Sequence, residues 1–331
     1  MAVLYITSQD VELGIIKNSI VIKRDDNVVD EIELINVDYI VIYGNAQFST
    51  QLIKKLAKNG KTISLLTTDG RLVAKIMPKM SKDIELRIAQ NKVAENTEKS
   101  IKLAKEFVRA KIINCIGLTQ RFEGYRKLEL DSEQDKLKQF VEKINDAQTL
   151  NEIVGIEGGA TKVYFEAFAK IIAGKWKFTK RTKHPPKDPV NAMLSLAYTL
   201  LGNEIGSLAE ALGFDPYLGF LHKIRYGRQS LALDILEIFR APIADRLIIR
   251  LVNKEMMDED DFKVTKNGYR LKKFGLKKFL REYERLMLST LKDPETNEKV
   301  SARRLIQLQV ERLKNYIKFG GKLWIYDFRK Y

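Results

Sequence analysis

A change of hydrophobic period near residue 78 constrains this chain more than any other feature. Before it, short β-branched runs alternate with polar turns: VLYIT, VELGII, SIVIKR, NVVDEIEL and DYIVIYG. That is the pattern of strands. STQLIKKLAKNG interrupts as a short helix ending at Gly60, and TISLLTTDGRLVAKI reads as a hairpin turning on Asp69-Gly70. Past Pro78, apolar residues recur at helical spacing in a charge-rich setting from about Asp83 to Phe122, and almost everything afterwards also reads as helix. The prediction is an α+β chain of two domains. Residues 1–78 form a small N-terminal β-domain, a sandwich or roll with one helix beside it. Residues 79–331 form a larger all-α domain. No internal repeat or low-complexity segment is visible.

The helical half has one conspicuous break, KFTKRTKHPPKDPV, residues 177–190. Pro185, Pro186 and Pro189 forbid a continuous helix there. Lys180, Arg181, Lys183 and Lys187 make it strongly positive, and Asp188-Pro189 restarts a helix as N-cap and first turn. The excess of basic residues, +15 over 331 residues, favours a polyanionic partner. The single Cys115 rules out an intrachain disulfide framework and a cysteine-rich zinc site, and fits a reducing cytoplasm. The first residues carry no basic leader and meet Asp10 and Glu12 early, unlike a signal peptide. No apolar stretch reaches membrane-spanning length. The expected location is cytoplasmic, away from membrane. Phosphate-loop, nucleophile-elbow, dinucleotide and H-E-x-x-H signatures are all missing.

The segment 220–240, FLHKIRYGRQSLALDILEIFR, carries the chemistry. Asp234 and Glu237 sit three apart in an apolar run, so a helix there puts both carboxylates on one face. His222 lies just upstream, with Arg225 and Arg228 between. A further carboxylate, Glu157, stands in the Gly-rich run GIEGG, which looks like a loop entering a helix. Imidazole with carboxylates suits Mg²⁺ or Mn²⁺ beside phosphate oxygens, and arginines suit the phosphate itself. Taken singly, each residue has a plainer reading. Glu157 can be a helix-start carboxylate, His222 a packed or exposed histidine, and Glu237 a partner of Arg240. His184, in the basic loop, is either a DNA contact or part of a solvated loop. The late segment 263–281 interleaves Tyr269, Phe274 and Phe279 with lysines, which is either a nucleic-acid groove or a helix core.

Three segments taken in order resemble the CRISPR-associated protein one (Cas-one) family: GIEGGATKVYFEAF (155–168), HPPKDPVNAMLS (184–195) and FDPYLGFLHKIRYGRQSLALDILEIFR (214–240). The resemblance covers essentially the whole chain. It implies a CRISPR-adaptation integrase and endonuclease, which joins 3′-hydroxyl ends of short DNA duplexes into a repeat array by transesterification. By the same resemblance Glu157, His222 and Glu237 are the metal ligands for Mg²⁺ or Mn²⁺. Asp234 supports them from one turn earlier. Many family members read F-R-P after the last ligand; here the proline is displaced by one, to Pro242, which is expected to matter little. Candidate DNA contacts are Tyr164, Lys180, Arg181, Lys183, His184, Arg225 and Arg228, with Tyr164 alternatively a core aromatic. Implied partners are double-stranded or branched DNA, CRISPR-associated protein two (Cas-two) and a second copy of the chain, docked largely through the N-terminal β-domains. The alternatives are a casposase-type transposon integrase, a branched-DNA repair nuclease and a non-catalytic DNA-binding scaffold. Casposases often carry extra C-terminal DNA-binding segments. The chain's end at Tyr331 and the intact Glu157, His222 and Glu237 set favour the CRISPR enzyme.

Overall fold

The computed structural model describes residues 2–67, 70–79, 83–183 and 185–330. Asp69 of the expected hairpin turn and His184 of the basic loop lie outside them. The chain divides into two compact units, Met1–Met80 with Lys273–Leu288, and Ser81–Lys272 with Ser289–Tyr331. The sequence period places a boundary near 78 but gives no sign that the segment Lys273–Leu288 groups with the first unit.

In the first unit, β1 (Val3–Ile6), β5 (Tyr39–Tyr43), β7 (Thr62–Leu66) and β8 (Leu72–Ile76) form one sheet in the order β1-β5-β7-β8. The pairs β1/β5 and β5/β7 are parallel, and β7/β8 closes the sheet antiparallel. The second sheet has the order β4-β3-β2-β6, from β2 (Glu12–Ile16), β3 (Ser19–Arg24), β4 (Asn27–Glu33) and β6 (Gln47–Phe48). Alternation decides which side chains face inward. Ile6, Ile40, Ile42 and Ile63 of the first sheet join Leu13, Ile20 and Ile22 of the second in one cluster. Helix α1 (Thr50–Lys58) adds Leu52 and Leu56, and its Ser49 side chain accepts from Leu52 N as N-cap. From Lys273–Leu288, Glu284 accepts a 3.1 Å hydrogen bond from Val3 N at the start of β1.

The second unit is mostly helical: α2 (Ile84–Glu95), α3 (Thr97–Arg126), α4 (Asp131–Asp146), α5 (Leu150–Ile171), α6 (Pro189–Leu212), α7 (Ser230–Phe239), α8 (Arg246–Asn253) and α10 (Ala302–Phe319), with α9 being Lys273–Leu288 of the first unit. Two antiparallel hairpins interrupt it, β9 (Phe262–Thr265) with β10 (Gly268–Leu271), and β11 (Thr290–Lys292) with β12 (Lys299–Ser301). The basic, aromatic segment 263–281 is therefore not a single helical face. Its first part is a hairpin and its second part starts α9, where Phe279 is fully buried and Phe274 exposed. Lys266 and Asn267 form the turn between the paired Thr265 and Gly268, and Gly268 takes the positive φ, 83°, that starts the return strand. Among the described residues no helix is long and apolar enough to cross a membrane.

Candidate metal and phosphate site

Three helices of the second unit bring the site together, beginning with α5. Glu157 stands in the middle of this helix, not at its entrance. The start lies earlier, where Thr149 and Glu152 form a reciprocal capping box, Glu152 N donating to Thr149 Oγ1 (3.2 Å) and Thr149 N to Glu152 Oε2 (3.3 Å). The glycines of GIEGG are thus helical. Gly159 serves close packing, because a Cβ there would lie 2.9 Å from Cζ of Phe140 on α4.

Helix α3 contributes a residue that sequence reasoning missed. Phe107, Val108, Cys115 and Leu118 form its buried stripe, and Lys111 falls on the same stripe, buried. Its ammonium donates to Glu157 Oε1 and, at 2.7 Å, pairs with Glu237 Oε2. Thr161, one turn along α5, also donates to Glu157 Oε1, at 2.9 Å. The signal was present in the sequence as a lone cation at helical spacing within FVRAKIINCIG. A buried ammonium needs anionic partners, since unpaired it carries a heavy desolvation penalty.

Helix α7 supplies Asp234 and Glu237, which do different work. Asp234 is fully buried and accepts from the backbone N–H groups of Phe220 (2.6 Å), Leu221 (3.0 Å) and His222 (3.0 Å). It also shares a 2.7 Å hydrogen bond with His222 Nδ1. With Nδ1 engaged by this carboxylate, Nε2 is the ring nitrogen left to meet a ligand. Gly219 lets the loop come this close, because a Cβ there would sit 2.7 Å from Asp234 Oδ2 and 2.8 Å from the backbone of Ser230. Glu237 instead takes a fork from Arg240, Nη1 lying 2.9 and 3.1 Å from its two oxygens. Burial pushes the Glu237 carboxyl up, but Arg240 and Lys111, with a smaller contribution from His222, more than offset it and hold the pKa at about 2.

Past Phe239 the helix widens into a π turn, Arg240–Asp245, at Pro242. Proline cannot donate to an α-helical hydrogen bond, and such widened turns recur at functional sites. The turn carries two residues of the network. Arg240 lies 4.3 Å from the ring centroid of Tyr198. Buried Asp245 accepts from Tyr198 and, at 2.7 Å, from Tyr164. Burial raises the Asp245 pKa, against the pull of Arg240 and the two hydroxyls. Asn114 on α3 then fastens the end of α7, its Nδ2 donating to Ile238 O (2.8 Å) and Tyr326 O (3.1 Å) while Phe328 N donates to its Oδ1 (2.7 Å). Tyr326 stacks on Phe239 at 5.9 Å.

The candidate phosphate contacts sort into three groups. Tyr164 is buried with its hydroxyl committed to Asp245, so it is a core aromatic of the network and not a surface contact. Arg181 and Arg228 are likewise used internally. Arg181 donates to Asn191 Oδ1 (2.8 Å) and Ser195 Oγ (3.0 Å), and Arg228 to the carbonyl of Lys223. Lys180, Lys183 and Arg225 are exposed. Lys183 still senses the site: partial burial lowers its pKa, Arg240 lowers it further, and Glu237 opposes both. Pro186 O accepts from Tyr269 N (3.0 Å), so the β9–β10 hairpin holds the proline-rich loop.

As the side chains stand, no group of three or more His, Cys, Asp or Glu among the described residues is arranged to hold a metal. Two of the expected donors, Glu157 and Glu237, instead converge on one cation, the Lys111 ammonium. Carboxylates gathered around a positive charge, with an imidazole oriented nearby, are chemically suited to a hard divalent ion with phosphate oxygens completing its shell.

The chain matches the family model described as CRISPR associated protein Cas1 over residues 4–285. The CRISPR-associated endonuclease Cas1 3 of Thermus thermophilus is 35% identical over 286 residues, 86% of this chain and 83% of that protein. Among solved structures, a casposase bound to integration product has a TM-score of 0.86 at 25% identity, covering 100% of this chain and 94% of that one. A Cas1 protein from Thermotoga maritima has a TM-score of 0.82 at 26% identity, covering 97% of this chain and 100% of that one.

Proposed function

The chain belongs to the Cas1 family, and from that premise we propose that it is a divalent-metal-dependent DNA endonuclease and strand-transfer integrase of CRISPR adaptation. The observation that carries this reading is the convergence of Glu157 and Glu237 on one cation beside His222, whose other ring nitrogen is fixed by Asp234. Glu157, Glu237 and His222 Nε2 would hold Mg²⁺ or Mn²⁺, with the Lys111 ammonium giving way. When bound, the ion supplies Lewis-acid stabilisation of charge on phosphate and attacking oxygen.

The residues of this chain do the rest. Asp234 fixes the tautomer and orientation of His222. Arg240 keeps Glu237 ionised and aimed inward. Exposed Lys183 and Arg225 would meet phosphate oxygens. In strand transfer, a 3′-hydroxyl oxygen of the incoming DNA attacks a target phosphorus in line. A new P–O bond forms, and the bond to the target strand's 3′ oxygen breaks. With water as the nucleophile the same geometry nicks DNA. Cas2 and a second copy of this chain are the partners the family reading supplies; two protomers match the two 3′ ends of a duplex. The casposase relative, captured with its integration product, supports strand transfer as the shared chemistry.

A supercoiled plasmid carrying a repeat, incubated with short duplex DNA, Cas2 and Mn²⁺, tests the proposal. Metal-dependent joining by the wild-type protein, lost in His222→Ala, is expected. Equal joining by His222→Ala removes this histidine from the site, and failure of the wild type to join or nick any DNA refutes the reading.

A further inference from the structure

The loop between His222 and α7 displays apolar surface that neither the core nor the metal site uses. Tyr226 is fully exposed at 104% and Ile224 is 72% exposed. Lys223 and Arg225, alternating with them, are exposed too. A single exposed apolar residue needs no explanation. Two of them interleaved with two cations, immediately after a proposed metal ligand, do.

The loop is also braced. Arg228 N donates to Arg225 O (3.0 Å), Ser230 N to Arg228 O (2.9 Å) and Ser230 Oγ to Lys223 O (3.2 Å). The Arg228 guanidinium adds a bond to the same Lys223 carbonyl. Gly227 makes the reversal at φ +71°. The aromatic ring is therefore offered on an ordered backbone, so little backbone entropy remains to be lost when something stacks on it. Four residues of chain place Tyr226 within about 14 Å of His222 at full extension, a span of a few nucleotides.

We propose that Tyr226, backed by Ile224, is a stacking site for an unpaired nucleobase of the DNA strand entering the His222 site, with Lys223 and Arg225 on that strand's phosphates. Aromatic platforms set among cations are how proteins hold single-stranded nucleic acid without reading its sequence. The proposal deepens the DNA reading above and rests on it.

The test uses the full chain in metal-free buffer. Its probe is a duplex with a short single-stranded 3′ tail carrying 2-aminopurine, compared with a blunt duplex of the same length. Wild type and Tyr226→Phe are expected to quench the 2-aminopurine. Tyr226→Ala is expected to lose the quench and to bind tailed DNA about 5- to 150-fold more weakly, with blunt-duplex affinity unchanged. Undiminished quenching by Tyr226→Ala overturns the proposal, as does an equal loss on both DNAs. An altered oligomeric mass in Tyr226→Ala with quenching intact assigns the loop to a protein contact and also overturns it. Wild-type protein that binds neither DNA removes the DNA reading itself, a failure distinct from the loss of stacking alone.

Discussion

Replacing Lys111 with methionine tests the site from an unusual side, because the prediction concerns the protein without metal. The ammonium is buried and pairs with both Glu157 and Glu237. Removing one member of a buried ion pair costs about 3–5 kcal/mol, because the charge left behind has no partner. The lower end applies here. Glu157 is about a quarter exposed and can turn toward water, while Glu237 keeps its fork from Arg240. For a unit of this size each kcal/mol moves Tm by about 2–4 °C. In EDTA, Lys111→Met should therefore melt about 6–12 °C below wild type.

Manganese should then narrow the gap. In the wild type, an ion entering between Glu157 and Glu237 must displace the ammonium. In the variant the two carboxylates await a cation, so the Kd for Mn²⁺ should tighten at least about tenfold, a difference of about 1.4 kcal/mol. At roughly 100 times the variant's Kd, binding adds about 2.7 kcal/mol to the variant but only about 1.4 kcal/mol to the wild type, so the gap in Tm should narrow by somewhat under half. Differential scanning fluorimetry in EDTA and across a Mn²⁺ titration, with calorimetric Kd values, provides both readings. A variant that melts with the wild type and binds Mn²⁺ equally refutes the reasoning. A lower Tm with unchanged Mn²⁺ affinity would mean that the ion does not take the ammonium's place.

Three further outcomes follow from the same contacts. Asp234→Asn keeps the size of the side chain but weakens its hold on His222 Nδ1, so Mn²⁺ affinity by calorimetry should drop about 10- to 100-fold. Asn114→Leu leaves the buried carbonyls of Ile238 and Tyr326 without their donor, and urea unfolding should register a loss of about 3 kcal/mol. The third concerns acid stability. Burial pushes the Asp293 carboxyl up, but the Arg312 bond and those from Glu295 N and Thr296 lower its pKa in the fold. Its contribution is therefore present above the unfolded value of about 3.9 and is lost as pH falls through the lower folded one. Wild-type Tm should fall more steeply below about pH 4 than that of Asp293→Asn, which starts lower at neutral pH.

How far the sequence can be read depends on whether a signal is local. The strands of the first unit are legible because alternation is a property of neighbouring residues. The cap at Asp188 and Pro189 is legible for the same reason, and Asp188 does accept from Asn191 N at 2.8 Å. Where two local signals compete, reading fails. The glycines of GIEGG suggest a loop, but the Thr149–Glu152 box upstream had already begun the helix. The lysines of 263–281 suggest a helical face, while Asn267-Gly268 marks a hairpin. Helix α9 shows a different limit: its period reports an apolar face without saying which core receives it.

Lys111 shows both the limit and a way past it. Sequence spacing cannot say that α3 packs so as to bring this residue between Glu157 and Glu237. It does say that a cation sits on a stripe otherwise filled by Phe107, Val108, Cys115 and Leu118. Such a cation survives burial only if anions meet it. Acidic residues placed on equally apolar helix faces are the candidates to do so, and Glu237, amid Leu236, Ile238 and Phe239, is one. A misplaced charge in one helix therefore predicts a complementary misplaced charge in another. Here Arg240 already pairs with Glu237, so Lys111 and Arg240 together balance the two carboxylates, and a divalent ion entering between Glu157 and Glu237 would take the ammonium's place.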